Sequence, residues 1–143
     1  MSVDHLLVDT EAIQALLRTI RTIAVIGIKP ETHSDKPAFY VPAYCVRRGA
    51  RVFPVPVYYP DVTEILGQRV HRNLVDIPED IDLVNVFRRG VDVPLHLDDI
   101  LKKRPRAVWM QSGIRHAEVA ERLAHEGIDV VQDRCLMVEW SRI

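Results

Sequence analysis

Glycine and cysteine are scarce in this chain, neither charge sign prevails, and no apolar run approaches a membrane span; each shortage removes a class of function. The 6 glycines among 143 residues leave Gly27 alone after the first apolar run. The GxGxxG turn that lets backbone approach a dinucleotide pyrophosphate is therefore missing, and the second strand ends in Pro and Val instead of a ribose-binding acid. The 2 cysteines, Cys45 and Cys135, lie far apart without CxxC or Cys/His spacing, which argues against a disulfide framework or a metal site and fits a reducing, cytoplasmic location. Lys plus Arg number 19 and Asp plus Glu 20, a net charge of -1, so no global field gathers nucleic acid or an anionic membrane, and any anion site is local. The N-terminus MSVDHLLVDTEAI lacks a basic region followed by an apolar one, so neither export nor membrane insertion is expected.

What is present is an alternation of strands and helices on a chain whose hydrophobic content, 48%, supplies a core for one domain spanning residues 1–143. Asp9 or Thr10 caps a first helix with Ile13, Leu16, Leu17 and Ile20 on its apolar face. Ile23 to Ile28 reads as a buried parallel strand. Pro37 and Gly49 suit the two ends of a helix, with Pro42 predicting a kink or a late start. Arg51 to Val57 is a second strand, which Pro54 and Pro56 push toward the sheet margin. Glu64 to Pro78 reads as a surface excursion with a little helix. Leu83 to Phe87 is a third strand, followed by a helix over Val93 to Lys103 with Pro94 in its first turn. Ala107 to Met110 and Asp129 to Val131 are further strands around a helix from Ala117 to His125, and the tail MVEWSRI adds one helical turn. Right-handed crossovers then imply a doubly wound α/β domain with a parallel sheet, whose ligands bind outside the carboxyl ends of the strands.

The stretch IAVIGIKPETHSDKPAF (23–39) is the first such place, because a strand leading through a polar loop to a helix start offers converging N–H groups to a phosphate. The others are Val55 to Tyr59, Phe87 to Gly90 and Gln111 to Ile114. Arg88 and Arg89 directly follow a buried strand, where guanidinium groups bind an anion or pair with carboxylates. The glycine turn Gln111-Ser112-Gly113 offers backbone to a ligand. Cys135, after Asp133 and Arg134, is a packed thiol or a reactive one. Among the histidines His33 and His116 are placed to meet a ligand, but no nucleophile or carboxylate is positioned to make a triad.

In order, IAVIG, KPAF, RVFPV, EILGQRV, DIPEDIDLVNVFRR, DVP, AVWMQSGI and DVVQDRC resemble the family of small CoA-binding proteins, similar to the Rossmann-like CoA-binding domain of the succinyl-CoA synthetase alpha subunit. The resemblance covers residues 15 to 140. It implies a five-stranded parallel sheet of order 3-2-1-4-5 and coenzyme A in the strand-end loops. It places Gly27, Ile28, Lys29, Ser34 and Lys36 by the phosphates, Val55 and Pro56 near the adenosine, and Phe87, Arg88, Gln111, Ser112 and Gly113 on the floor. The chain departs from the family pattern at the second strand end, where Pro54-Val55-Pro56-Val57 and two tyrosines replace PVNP. It departs also in the first loop, longer by about two residues and followed by Ala38 and Phe39. The related synthetases carry their phosphorylated histidine on a second domain, and this chain ends at Ile143 before one could begin. The expected function is a non-catalytic CoA or acyl-CoA binding protein, with no nucleic acid or membrane partner and with a homo-oligomer left open. The alternatives are a redox-linked protein using Cys135 with the CoA thiol, or an NAD(P)-binding enzyme.

Overall fold

In the run Thr22–Ile26, Ile23 and Val25 pack into one apolar cluster while Ala24 and Ile26 pack into another on the opposite side, the double burial that a central parallel strand requires. The structure, a computed structural model, describes residues 2–143. In chain order the elements are α1 (Thr10–Leu17), β1 (Thr22–Ile26), α2 (Pro37–Arg47), β2 (Arg51–Val55), β3 (Glu64–Ile65), β4 (Gln68–Arg69), β5 (Leu83–Val86), α3 (Leu97–Lys103), β6 (Ala107–Met110), α4 (Ala117–His125), β7 (Asp129–Val131) and α5 (Leu136–Ser141).

The main sheet has 5 parallel strands in the order β2-β1-β5-β6-β7. The doubly wound α/β Rossmann-like topology is as expected, with strand order reversing between β1 and β5. The numbering differs from 3-2-1-4-5, which sets a strand outside the second one: after β2 this chain instead makes the separate hairpin β3-β4, so β2 is the margin of the sheet. Pro54 has no N–H to give there, and its carbonyl accepts from the His71 N–H at 3.0 Å. At the other margin the N-terminal segment closes the edge of β7, with Leu6 bridged to Val130 and the Leu7 N–H donated to the Val130 carbonyl at 2.8 Å.

Alternate strand residues feed two cores. Ile13, Leu17, Val41, Cys45, Leu136 and Trp140 from α1, α2 and α5 cover one face, and Ile100, Val119 and Leu123 from α3 and α4 the other. Three elements differ from the sequence expectation. The Glu64–Pro78 excursion contains a hairpin whose turn, Leu66-Gly67, has φ of 53° and 73°, the pair of positive values that a type I′ turn demands. The helix expected from Val93 begins as a 3₁₀ stretch, Gly90–His96, and becomes α-helical only at Leu97; the tighter turn carries Leu95 out to solvent. Helix α2 starts at Pro37 in spite of Pro42. The Ala38 carbonyl, which Pro42 cannot bond, instead accepts the Lys29 N–H at 3.1 Å.

Register brings the strand ends level. Ile26 pairs with Val55 and Val86, Val86 with Met110, and Trp109 with Val131. The residues that follow, Gly27, Pro56, Phe87 and Gln111, therefore leave the sheet at one rim.

Candidate functional site

A cavity of about 670 Å³ opens along this rim, within the size range of small-molecule sites. Gly27, Ile28, Lys29 and Lys36 line it from the loop after β1, Phe87, Arg88 and Arg89 from the loop after β5, and Gln111, Ser112, Gly113 and Ile114 from the turn after β6. Of the residues singled out from the sequence, Ser34, Val55 and Pro56 are outside the lining. The 3₁₀ turn Glu31–His33 lifts Ser34 onto the exposed crest of the loop. Val55 and Pro56 are buried, Val55 in the core below the rim, and Val57, Tyr58 and Tyr59 take that part of the wall.

Gly27 is required twice over. Its φ is +82°, and a Cβ there would stand 2.2 Å from the Phe87 carbonyl oxygen, so the β1 and β5 loops approach more closely than any side chain permits. The Gly27 N–H continues the ladder to Val55 at 2.9 Å, and the Phe87 N–H does the same to Ile26 at 2.9 Å. The floor is thus tied to the sheet. The Ile28 N–H has no protein partner among the described residues, leaving a donor beside the bond that occupies Lys29.

Lys29, Lys36, Arg88 and Arg89 all line the cavity, and no Asp or Glu does. The Arg88 side chain is only 11% exposed. Its Nε donates to His96 Nε2 at 3.1 Å, one terminal nitrogen donates to the Tyr58 hydroxyl at 3.3 Å, and the other lies 3.9 Å from Asp92. Arg89 is bonded to the same Asp92 at 3.0 Å. Asp92 therefore compensates the two guanidinium groups in part and leaves them a net positive charge beside the cavity. Burial, and then the neighbouring Arg88 charge, lower the His96 pKa against the opposing pull of Asp99 and Asp92. A neutral His96 is what lets its Nε2 accept from Arg88.

The Val55 to Tyr59 stretch expected at a strand end does supply tyrosines to the wall, whereas Tyr40 was not singled out. Tyr40, Tyr58 and Tyr59 all line the wall, and Tyr59 sits at φ 63°. Arg72 holds that conformation by donating to the carbonyls of Tyr58, Tyr59, Pro60 and Val62 at 3.0, 2.9, 3.3 and 3.0 Å. The His33 ring lies 5.2 Å from that of Tyr59, and Glu31 accepts the Leu66 N–H at 2.8 Å, so the hairpin braces the first loop. The available signal was two aromatics directly after the second strand; Arg72, fourteen positions beyond Tyr58, carried none. His116 serves as the cap of α4, accepting the Val119 N–H at 3.1 Å. Val91, just past the Phe87 to Gly90 strand end, is exposed and outside the lining.

Among the described residues no cluster of His, Cys, Asp or Glu could hold a metal ion, and no helix is long and apolar enough to cross a membrane. With cationic, aromatic and apolar residues in one lining, the cavity offers charge-assisted and apolar contacts along its length.

Comparison with known proteins finds chains of similar sequence and fold. The chain is 40% identical to a Thermus thermophilus protein solved as cell-free ID.343, with a TM-score of 0.85 over 94% of this chain and 98% of that one. A hypothetical protein from Pyrococcus horikoshii OT3 is 28% identical, with a TM-score of 0.84 over 94% of this chain and 92% of that one. The uncharacterized protein YneT of Bacillus subtilis (strain 168) is 29% identical over 126 residues, 88% of this chain and 90% of YneT. The model of the CoA binding domain matches residues 21–141. With nearly every element of the sheet and every loop of the rim inside that match, the chain belongs to the CoA-binding domain family.

Proposed function

We propose that the protein is a non-catalytic binding protein that holds CoA or acyl-CoA across the carboxyl ends of its strands. The observation that carries this reading is the charge of the cavity lining: Lys29, Lys36, Arg88 and Arg89 belong to it and no carboxylate does, on a chain whose net charge is -1. From the end of β2 to the end of β7 the rim runs through four strand spacings of about 4.8 Å, about 19 Å in all. The lining changes along that length. Tyr58 and Tyr59 stand at the β2 end, the cations at β1 and β5, and Phe87, Ile114 and Gln111 toward β6. An adenine on the tyrosines, phosphates at the cations and a pantetheine arm toward β6 match that sequence of environments, since aromatic faces stack bases and cationic donors hold phosphates.

Calorimetric titration with CoA, dephospho-CoA and NAD tests the assignment. CoA binds tightest, dephospho-CoA loses the contacts of the 3′-phosphate, and NAD, for which the site lacks both the glycines and the acid, binds weakest. Equal or absent binding of all three overturns it.

A further inference from the structure

The β6 end of the cavity is built differently from the cationic end. Gln111 is 4% exposed, and its Oε1 accepts both from Asn85 Nδ2 at 3.3 Å and from the Leu136 N–H at 3.3 Å. A carboxamide that accepts twice at its oxygen has its NH₂ turned the other way. Nε2 is without a protein partner among the described residues and is not sealed in, so Gln111 brings a committed donor to the lining.

Cys135 shares that end of the cavity. The peptide before it is held by the Trp109 indole, whose Nε1 donates to the Arg134 carbonyl at 2.7 Å, and the peptide after it by the Leu136 bond to Gln111. Both clamps come from β6 or the residue that follows it, so the backbone around the thiol is fixed relative to the Gln111 amide. It is half-buried and forms part of the wall. Cys45 is an internal contrast, 1% exposed, outside the lining and pushed up to about 12, first by burial.

Resting on the reading that the cavity holds a CoA-type ligand with its arm toward β6, we propose that Cys135 is a covalent capture site for the thiol of that ligand. The Cys135 thiolate attacks the symmetrical disulfide of the ligand. That S–S bond breaks, a new one forms between Cys135 Sγ and one half, and the other half leaves as a thiolate that takes a proton from water. The ligand disulfide is the oxidant and the released thiol the reduced product; a second free thiol reverses the step. Gln111 acts as a positioning residue, donating to a carbonyl of the arm so that its sulfur arrives beside Cys135. Binding supplies the proximity, so the exchange runs faster than with a disulfide that the cavity does not hold.

Intact-mass and peptide mass spectrometry of the protein incubated with CoA disulfide, and separately with cystamine at the same concentration, test the proposal. One CoA adduct is expected on Cys135, formed more than about tenfold faster than the cystamine adduct, slowed by an excess of CoA lacking its sulfur, and absent in Cys135→Ser. An adduct on Cys45, equal rates for the two disulfides, or no CoA adduct in a protein that binds CoA by calorimetry overturns this proposal alone. Failure to bind CoA at all overturns the reading on which it rests.

Discussion

Among single residues, Arg88 and Gly27 line the cavity and His96 bonds to Arg88. Arg88 is nearly enclosed and shares only part of its charge with Asp92, so Arg88→Ala weakens CoA binding by about 1 to 3 kcal/mol if the guanidinium meets a phosphate; calorimetry reads this, and an unchanged affinity returns Arg88 to a purely structural role. His96 makes the site sensitive to acid. Its folded pKa is lowered while the unfolded side chain titrates near about 6.5. The unfolded chain therefore takes up the proton first as pH falls. The stabilisation is complete above about 6.5 and is lost as pH drops from there toward the lowered folded value. Urea midpoints at pH 7.5 and pH 5.5 should show this loss, and His96→Gln should reduce it; an identical loss in the variant assigns it to other groups. Gly27→Ala should cost about 2 kcal/mol or more in urea unfolding, because alanine is strained at positive φ and its Cβ would strike the Phe87 carbonyl; a cost below about 0.5 kcal/mol would mean that the β1 and β5 loops separate easily. Gly27, Lys29, Phe87, Arg88 and Gln111 were legible as lining residues because strand-end position alone selects them. The backbone conformation of Tyr59 was not, because a tyrosine at φ 63° is held there by Arg72 and by no local preference.

At the scale of elements, the first loop and α2 behave as one piece. Pro42 leaves the Ala38 carbonyl free inside a helix, and the Lys29 N–H takes it. A proline that is costly in a regular helix here docks the loop onto α2, so the loop is fixed without any bond made by the Lys29 side chain. Amide hydrogen exchange checks this. Lys29 should be protected although it lies in a loop, and Pro42→Ala, which supplies a competing N–H for the same carbonyl, should speed its exchange; equal rates in both proteins would show that the bond contributes nothing. The principal strands were legible because each is a short apolar run buried on both faces. The β3-β4 hairpin was not, since strands as short as Glu64–Ile65 and Gln68–Arg69 carry too little alternation, and Leu66 at positive φ gives no turn signal of its own. The start of α3 differs from the expectation because Pro94 fits a first turn equally well in a 3₁₀ stretch.

For the whole molecule, both sheet margins are closed locally, β2 by the segment at His71 and β7 by the N-terminal residues Leu6 and Leu7, leaving the carboxyl-end rim as the place where loops from the middle of the sheet gather. That closure depends on partners far apart in sequence, which is why periodicity showed the layers and not the edges. In the proposed complex one ligand lies along the rim with its phosphates at the cations and its arm toward β6. A crystal structure of the protein with CoA measures this directly: the diphosphate is expected beside Lys29, Lys36 and Arg88, the adenine against Tyr58 and Tyr59, and the thiol next to Cys135 and Gln111. CoA bound away from the rim, or bound in the opposite direction with its adenine at Gln111, would contradict it.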